Sequence, residues 1–405
     1  MVKDISYADY KKKSDIHGTV LYPATMIAPV QHDFLKAIMT EEHIESVFDP
    51  FFGSGTSLYE AMLIDTDVEL VGCDINPLAY LITETKLKGI DSELIDEDIE
   101  QLEAHMNSVQ PDNHTFFNID KWFRADVAND LRVIRQSIIA IENEKNRKYF
   151  WCMLSDIIRK YSNSRSSTYK LHVKEKSKIT SMENNIREEF IKSVSENRYF
   201  FHTYSDNTEL YKDDTLSILP NFPDKRFDIS VTSPPYGDNA TTVTYGQFSS
   251  LPLRWIDPTD LCLEGWELDN FSIIDSRSIG GLVKETCLDE QQMKIVKPYV
   301  SEISASKQKK VYLFFNDYFR FLNQICRVTK KYIVLTLGNR RVDNRLIDLT
   351  DITCQYLEIN EFANISKASR KIPLKRIPRT TSSVNDESVL SMNEEYVLVH
   401  KRNEA

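Results

Sequence analysis

A short glycine-containing turn, Asp49–Thr56, carries the first residues whose types and spacing indicate chemistry. It reads Asp-Pro-Phe-Phe-Gly-Ser-Gly-Thr and stands between a short apolar segment and a segment with helical spacing. Glycines let backbone N–H groups approach a ligand closely, and the N-terminus of a helix attracts negative charge. The turn is not a dinucleotide fingerprint, because Leu58 stands where the third glycine belongs, and no Gly-Lys-Ser/Thr phosphate loop follows. The alternative interpretation is a tight turn that binds nothing.

A carboxylate, Asp74, ends the next apolar segment about twenty residues after the glycine turn. In nucleotide-binding sheets, an acidic residue at this place accepts hydrogen bonds from ribose hydroxyl groups. Taken alone, Asp74 is equally well read as an exposed loop carboxylate. Together, the turn and the acid predict a cofactor of the adenosine type.

A second turn, Ser233–Tyr236, reads Ser-Pro-Pro-Tyr and directly follows an apolar segment. Its two prolines fix φ, remove two backbone donors and keep the preceding residues extended. The turn therefore presents acceptors without competing N–H groups, which suits an incoming amino group. Tyr236 adds a flat face on which a base can stack. The alternative is an ordinary proline turn with Tyr236 packed in the core.

The elements that must position these turns follow the pattern of a parallel α/β sheet. The sequence predicts strands at 46–49, 69–73, 209–211, 227–231, 332–337 and 395–399. It predicts helices at 56–64, 312–328 and 346–357. Helical spacing dominates 91–205, where strand-like alternation is scarce. We therefore predict a sheet domain built from 1–90 and 206–405, interrupted by a mainly helical insertion at 91–205.

With both turns in view, the sequence resembles the DNA amino-methyltransferases, enzymes often found in restriction–modification systems that methylate cytosine N4 or adenine N6. The family's cofactor motif, Asp-Pro-Phe-x-Gly-Ser-Gly-Thr, matches Asp49–Thr56, and its catalytic motif, Asp/Asn/Ser-Pro-Pro-Tyr, matches Ser233–Tyr236. The resemblance covers roughly 15–85 and 205–405. It implies the class I S-adenosylmethionine-dependent methyltransferase fold, which is Rossmann-like with a mostly parallel seven-stranded sheet. It also makes the helical insertion a candidate target-recognition region.

The resemblance implies S-adenosylmethionine as the cofactor and assigns roles to individual residues. The catalytic residues would be Ser233, Pro234, Pro235 and Tyr236. The cofactor-binding residues would be Tyr22, Pro23, Asp49, Phe51, Gly53, Gly55, Thr56, Asp74, Asn76 and Asp214. Among these, Tyr22 and Pro23 resemble an N-terminal element that closes over the methionine end of the cofactor.

Two features depart from the family pattern. Asp213-Asp214-Thr215 stands where the family usually shows Gly-Asp-Ser/Ala, so the adenine-binding role of Asp214 rests on a partial match. The residues of the two motifs are typical of the family group in which the catalytic motif precedes the cofactor motif in the sequence. In this chain the cofactor motif comes first. The resemblance therefore does not show which segment reads the DNA bases.

In this family, Ser-Pro-Pro-Tyr preceded by Thr is mostly associated with cytosine N4 and Asp-Pro-Pro-Tyr with adenine N6, so the resemblance of Thr232–Tyr236 implies cytosine N4 as the target. Chemistry alone discriminates weakly, because serine and carboxylate oxygens can each accept an amine hydrogen. We expect methylation of cytosine N4 in a short duplex recognition sequence, with a restriction endonuclease encoded separately. The alternatives are an adenine-N6 DNA methyltransferase, an RNA or protein-amide methyltransferase of the same fold, and a non-catalytic, cofactor-binding specificity subunit.

The chain has 405 residues and a formal net charge of −11, which argues against a protein that coats nucleic acid indiscriminately. Contacts to phosphates need only a local basic surface. Basic stretches supply the DNA-binding candidates Arg159, Lys160, Arg165, Lys170, Lys174, Arg340, Arg341, Arg370, Lys371, Lys375 and Arg376. The alternative is that these charges form ordinary solvated faces.

The six cysteines are scattered without a Cys-x-x-Cys pair, which predicts neither a zinc site nor a disulfide framework. The N-terminal residues lack a hydrophobic signal core, and no apolar run approaches membrane-spanning length. We therefore expect a cytoplasmic enzyme without a metal or a membrane partner.

Overall fold

A computed structural model describes most of the chain. The described residues are 5–236, 243–268, 270–277, 279, 285–372, 380–384, 387–390 and 394–403. Between 373 and 393, the description is limited to the backbone of two strands. Two of the predicted DNA-binding residues, Lys375 and Arg376, lie outside the described residues.

The strands of the described chain form one large sheet and two small hairpins. They are β1 (Ser46–Asp49), β2 (Glu69–Cys73), β3 (Thr208–Tyr211), β4 (Phe227–Thr232), β5 (Thr329–Leu337), β6 (Arg340–Val342), β7 (Arg345–Ile347), β8 (Phe362–Lys371), β9 (Thr380–Val384), β10 (Glu387–Leu390) and β11 (Glu394–Arg402). The large sheet has seven strands in the order β3-β2-β1-β4-β5-β11-β8. Its first five strands are parallel, and β11 is antiparallel to both of its neighbours. The prediction of a mostly parallel seven-stranded sheet is confirmed.

Helices cover both faces of this sheet. They are α1 (Ala28–Glu41), α2 (Thr56–Ile64), α3 (Pro77–Lys88), α4 (Ile95–Ser108), α5 (Ile119–Trp122), α6 (Ala125–Ile139), α7 (Glu144–Tyr161), α8 (Lys176–Thr180), α9 (Ile186–Asn197), α10 (Thr215–Ile218), α11 (Tyr245–Trp255), α12 (Pro258–Leu261), α13 (Ile273–Ser276), α14 (Glu290–Val300), α15 (Ala305–Val328) and α16 (Leu349–Ile359). Short 3-10 helices occur at Lys12–Ser14, Ile16–Gly18, Arg198–Phe201, Leu219–Asn221 and Gly265–Leu268.

The central strands are buried along their whole length because their alternate residues enter two different cores. In β1, Val47 belongs to one hydrophobic cluster and Phe48 to the other. In β2, Leu70 and Val71 divide in the same way. Successive side chains of a strand point to opposite faces, so strands with buried apolar residues at successive positions require a sheet that is covered on both sides.

The order of the strands reverses between β1 and β4. The chain runs from β1 outward to β2 and β3, then crosses back to β4, where Val47 pairs with Ile229. In open α/β sheets, ligands bind beyond the carboxyl ends of the strands at such a reversal. The glycine turn follows β1 and Ser233–Tyr236 follows β4, so the fold brings both turns to this edge.

The chain between β2 and β3 is helical apart from an isolated bridge between Ser164 and Val173. Its helices α4–α7 and α9 contribute buried apolar residues to the same hydrophobic cluster as α1–α3. The helical stretch is therefore packed against one face of the sheet. The predicted boundaries of the insertion, 91 and 205, stay a prediction.

The helix predicted at 346–357 is present as α16, but it begins at Leu349, because the residues before it form the β6–β7 hairpin. Asp343 and Asn344 turn this hairpin with φ of 51° and 61°. No strand was predicted at Phe362–Lys371, which forms β8 at the edge of the sheet, where it pairs with β11.

Candidate active site

The glycine turn requires glycine at two positions. Gly53 has φ of 53°, and Gly55, which precedes α2, has φ of 73°. A Cβ atom at Gly55 would lie 2.7 Å from the side chain of Thr83, so the backbone there leaves no room for one. A Cβ atom at Gly53 would contact the Tyr22 ring at 3.4 Å. Left-handed φ values cost a non-glycine residue energy, so the turn's shape depends on both glycines.

Two side chains of helix α3 donate hydrogen bonds to the carbonyl groups of the glycine turn. The Thr83 hydroxyl donates to the Gly53 carbonyl at 3.0 Å. One turn later, the Lys86 Nζ donates to the Ser54 carbonyl at 2.8 Å. Lys86 is fully buried, and this burial lowers the pKa of its amine to about 7. These two hydrogen bonds fix the position of the glycine turn relative to α3.

Asp49 stabilises the turn from its first position. Its carboxylate accepts hydrogen bonds from the Phe51 N–H at 3.0 Å and from the Ser57 hydroxyl. The side chain is fully buried, and burial raises its pKa to about 6. Its bonds inside the turn give Asp49 a structural role there. Phe51 lies against Phe321, with the ring centroids 5.2 Å apart.

Asp74 ties the end of β2 to the glycine turn. One carboxylate oxygen accepts from the Gly53 N–H at 2.9 Å and the other from the Asn76 N–H at 2.9 Å. Burial raises the pKa of Asp74 to about 6, while these two donors favour its charged form. The glycine turn and Asp74, which the sequence predicted to act together, are therefore joined by a direct hydrogen bond.

Asn76 joins two segments that are distant in sequence. Its amide nitrogen donates to the Tyr22 hydroxyl at 3.0 Å and to the Ser249 Oγ at 2.8 Å. Its amide oxygen accepts from the Leu78 N–H and so caps α3. Ser249, on α11, was missed by sequence reasoning because it belongs to no recognisable motif and lies 173 residues from Asn76.

Tyr22 forms a wall beside the glycine turn. Its ring is buried and lies 5.8 Å from the Tyr245 ring and 6.1 Å from the Phe248 ring, measured between centroids. Burial raises the pKa of its phenol well above the ordinary value, so the hydroxyl stays neutral and accepts from Asn76. Pro23 follows as a buried residue.

Asp214 lies at the end of β3 and caps α10, where it accepts from the Leu216 N–H at 2.9 Å. Burial raises the pKa of its carboxyl. The neighbouring Thr215 hydroxyl donates to the Pro50 carbonyl. This bond places Asp214 next to the glycine turn, whose last residue, Thr56, is buried at the start of α2.

The second turn is held by hydrogen bonds among hydroxyl groups. The Ser233 Oγ lies 2.9 Å from the Tyr236 hydroxyl, which donates to the Thr336 carbonyl on β5 at 3.3 Å. Pro234 is buried, whereas Ser233, Pro235 and Tyr236 are partly exposed. Arg340 donates to the Tyr236 carbonyl at 3.4 Å.

The basic candidates fall into different environments. Arg159 is only 9% exposed and its guanidinium lies 3.9 Å from the Phe248 ring centroid, so we assign it to the interior rather than to a DNA surface. Lys174 is partly buried and donates to the Ser162 carbonyl at 2.6 Å. The other described candidates are exposed at Lys160, Arg165, Arg341 and Lys371, and partly exposed at Lys170, Arg340 and Arg370. Of these, Lys160 pairs with Glu189 and Arg370 with Glu395.

Within the described residues, no three His, Cys, Asp or Glu side chains are grouped so as to hold a metal ion. The described helices include none that is long and apolar enough to cross a membrane.

The fold and the site define an α/β protein with a candidate nucleotide-cofactor site at the reversal of its sheet. No protein-family model matches the chain. Over 425 aligned residues it is 28% identical to Type II methyltransferase M.MvaI of Kocuria varians, an alignment that covers 98% of this chain and 93% of that protein. Over 84 residues it is 32% identical to Type II methyltransferase M.MjaII of Methanocaldococcus jannaschii, covering 21% of this chain and 15% of that protein. The first similarity therefore extends through the sheet and the helical stretch alike.

Proposed function

We propose that this chain is an S-adenosylmethionine-dependent DNA methyltransferase that modifies the N4 amine of cytosine in a short duplex sequence. The observation that carries the proposal is the juxtaposition of the glycine turn after β1 and the Ser-Pro-Pro-Tyr turn after β4, at the reversal of the sheet. Near-full-length similarity to a protein named a Type II methyltransferase supports it. The same similarity supports a role as the modification enzyme of a restriction–modification system.

The residues around the glycine turn fit the proposed cofactor. Asp74 is a partly buried carboxylate just after β2, the place where ribose hydroxyl groups find their acceptor in nucleotide-binding sheets. Asp214 and Phe51 would adjoin the adenine, and the Tyr22–Pro23 wall would adjoin the methionine end. When bound, the cofactor supplies an electrophilic methyl group.

The second turn provides what an exocyclic amine needs. Such an amine is a poor nucleophile because its lone pair is delocalised into the ring. The Ser233 Oγ and the Pro234 carbonyl would accept its two hydrogens and so localise the lone pair toward the methyl group. The rate enhancement would come from positioning of the amine and from preorganised hydrogen-bond acceptors. The methylated amine would then lose its proton to solvent.

The hydrogen-bond chain in the turn favours this use of Ser233. In the arrangement in which the Tyr236 hydroxyl donates to the Thr336 carbonyl, the Ser233 hydroxyl is the donor in the hydrogen bond that it shares with Tyr236. The lone pairs of Ser233 are then left to accept from an amine. Tyr236 would also hold a base that has been flipped out of the duplex, by contact with its ring.

The choice of cytosine N4 rests on the Thr-Ser-Pro-Pro-Tyr wording of the turn. The duplex would meet exposed basic residues at the carboxyl edge of the sheet, with Arg340 and Arg341 on the β6–β7 hairpin beside the catalytic turn. Arg165 and Lys170, in the loop after α7, would contribute from the helical stretch. Arg370 and Lys371 at the end of β8 are further candidates.

The decisive experiment expresses the protein in a bacterial host that lacks DNA methylation and sequences the host DNA by a method that reads modified bases. We expect N4-methylcytosine at a single short motif, and a much smaller modified fraction from the matched Ser233→Ala strain. N6-methyladenine at a motif would preserve the mechanism and overturn the choice of base. Unmodified DNA from a protein that binds S-adenosylmethionine would overturn DNA as the acceptor, in favour of RNA, a protein amide or a non-catalytic specificity subunit.

A further inference from the structure

Helix α7 presents two charged side chains, Asp156 and Arg159, to the two segments that wall the proposed cofactor site. We propose that these two residues are positioning residues that brace the walls from behind, so that the helical stretch between β2 and β3 helps to shape the cofactor site. This inference rests on the proposed function, because it takes the surroundings of the glycine turn, beside these two segments, to be the S-adenosylmethionine site.

Asp156 holds the first wall. Both of its carboxylate oxygens accept from the Leu21 N–H, at 3.0 and 3.1 Å, across 135 residues of sequence. Leu21 immediately precedes Tyr22, the residue whose ring a Cβ atom at Gly53 would contact. Leu21 itself is 48% exposed, so its hydrophobic side chain does not anchor this segment. The carboxylate of Asp156 therefore supplies a polar anchor for the Tyr22 wall.

Arg159 holds the second wall, one helical turn further along α7. Its Nη1 donates to the Phe248 carbonyl at 3.0 Å, and its guanidinium carbon lies 3.9 Å from the Phe248 ring centroid. Burying an arginine is unfavourable unless it is well bonded, and here burial lowers the pKa of the guanidinium to about 10. Phe248 is adjacent to Ser249, so this contact fixes the part of α11 that reaches Asn76.

The Tyr22 segment and α11 are each hydrogen-bonded both to Asn76 and to helix α7. The amide nitrogen of Asn76 donates to the Tyr22 hydroxyl on one wall and to Ser249 on the other. Asn76 and α7 therefore both fix the distance between the two segments. A substitution in α7 that shifts either segment is expected to alter the hydrogen bonds of Asn76. The loop that follows α7 is joined to α11 as well, because the Leu171 N–H donates to the Gln247 side chain at 3.1 Å.

The test measures S-adenosylmethionine affinity by calorimetry and the KM and kcat for methylation, using Asp156→Ala and Arg159→Met in the full chain. We expect the dissociation constant and the KM for the cofactor to rise about tenfold in each, because a hydrogen bond to a charged group is lost. The kcat at saturating cofactor should stay within about twofold, a split that general destabilisation would not produce.

Two further variants sharpen the outcome. Asp156→Asn keeps an acceptor for Leu21 and should restore most of the affinity, while Glu144→Gln, which alters an exposed carboxylate paired with Lys148 on the same helix, should leave it unchanged. If Asp156→Ala or Arg159→Met fails to fold, Asp156→Leu and Arg159→Leu replace it, because leucine is a good helix former that offers neither the acceptor nor the donor, and the same rise in KM is expected. Unchanged cofactor affinity in the folded variants would overturn the inference alone. Absence of S-adenosylmethionine binding by the unaltered protein would overturn the proposed function and the inference with it.

Discussion

The hydroxyl oxygens of Ser233 and Tyr236 lie 2.9 Å apart, so the two ends of the Ser-Pro-Pro-Tyr turn share a hydrogen bond. Between them, the prolines remove the backbone donors that would otherwise compete for Ser233. The Tyr236 hydroxyl is in turn bonded to the Thr336 carbonyl of the neighbouring strand β5. The orientation of the Ser233 hydroxyl thus depends on the register of β4 against β5.

Ser233→Ala should lower kcat by roughly 100-fold, because removing one preorganised group from a transition state costs about that much. The affinity for S-adenosylmethionine should be unchanged, since Ser233 is not among the residues assigned to the cofactor. Single-turnover methylation and calorimetry measure the two quantities. A variant with unaltered kcat would show that Ser233 does not touch the reacting amine.

Tyr236→Phe is the matched comparison for Ser233→Ala. It keeps the ring and removes only the hydroxyl that orients Ser233, so we expect a smaller loss of kcat, about tenfold. The ring remains available to a flipped base, and DNA affinity should be unchanged. A loss of kcat larger than that of Ser233→Ala would place the phenol itself at the reacting amine.

The affinity for S-adenosylmethionine should fall as the pH drops below about 6. Burial raises the pKa of Asp74 to about 6, and the charged carboxylate is the better acceptor for ribose hydroxyl groups. If binding needs the charged form, the dissociation constant rises up to about tenfold for each pH unit below that value. Titration calorimetry between pH 5 and pH 8 measures it.

Asp74→Asn provides the control for this pH dependence. Burial also raises the pKa of Asp49 and of Asp156 to about 6, so the three acids titrate in the same range. The variant should bind more weakly at pH 8 and show a flatter pH profile than the unaltered protein. An equally steep profile in Asp74→Asn would assign the titration to another group, with Asp49 the first to examine.

The boundaries of β1, α2 and β2 were predicted correctly from the sequence, and all three predictions are confirmed. Here, apolar runs end at Asp and Gly residues whose turn chemistry is local, so the sequence marks the change of element. Strand β8 was missed for the opposite reason. Its residues are alternately exposed and partly buried, and Asn, Ser, Lys and Arg residues fill an edge position without an apolar period.

The same distinction applies to the site. The two turns were located by motif, since each is a contiguous run of residues. The contacts of Asn76 with Ser249 and of Asp156 with Leu21 span 173 and 135 residues, and nothing in the neighbouring sequence marks either partner. Arg159 was assigned to a DNA surface because a run of basic residues carries no information about which of them faces inward.

Lys86→Met should change how the free energy of unfolding depends on pH. Burial, followed by the charge of Lys12, lowers the pKa of Lys86 from the ordinary 10.5 to about 7. Between these values the unfolded chain binds more protons than the folded chain, so the Lys86 contribution makes stability rise with pH. The slope is at most about 1.4 kcal/mol per pH unit.

Urea unfolding of both proteins from pH 7 to pH 9.5 measures this contribution. The unaltered protein should gain stability relative to Lys86→Met as the pH rises. Because the other groups that titrate in this range are the same in both proteins, their contributions cancel in the difference between the two free energies of unfolding. Asp15, Glu60 and Cys152 also interact with the amine, and all three are present in both proteins. Parallel pH profiles would show that Lys86 keeps its ordinary pKa in the folded protein.

Arg341→Ala should weaken binding to duplex DNA to a similar extent for every sequence, because an exposed guanidinium beside the catalytic turn contacts phosphates rather than bases. Loss of one phosphate contact lowers the slope of log K against log salt by about 1. The matched control is Arg226→Ala, since Arg226 pairs with Glu69 at the opposite edge of the sheet, before β4 begins. Binding isotherms at several salt concentrations separate the variants. An equal salt slope for Arg341→Ala and the unaltered protein would move the duplex away from the β6–β7 hairpin.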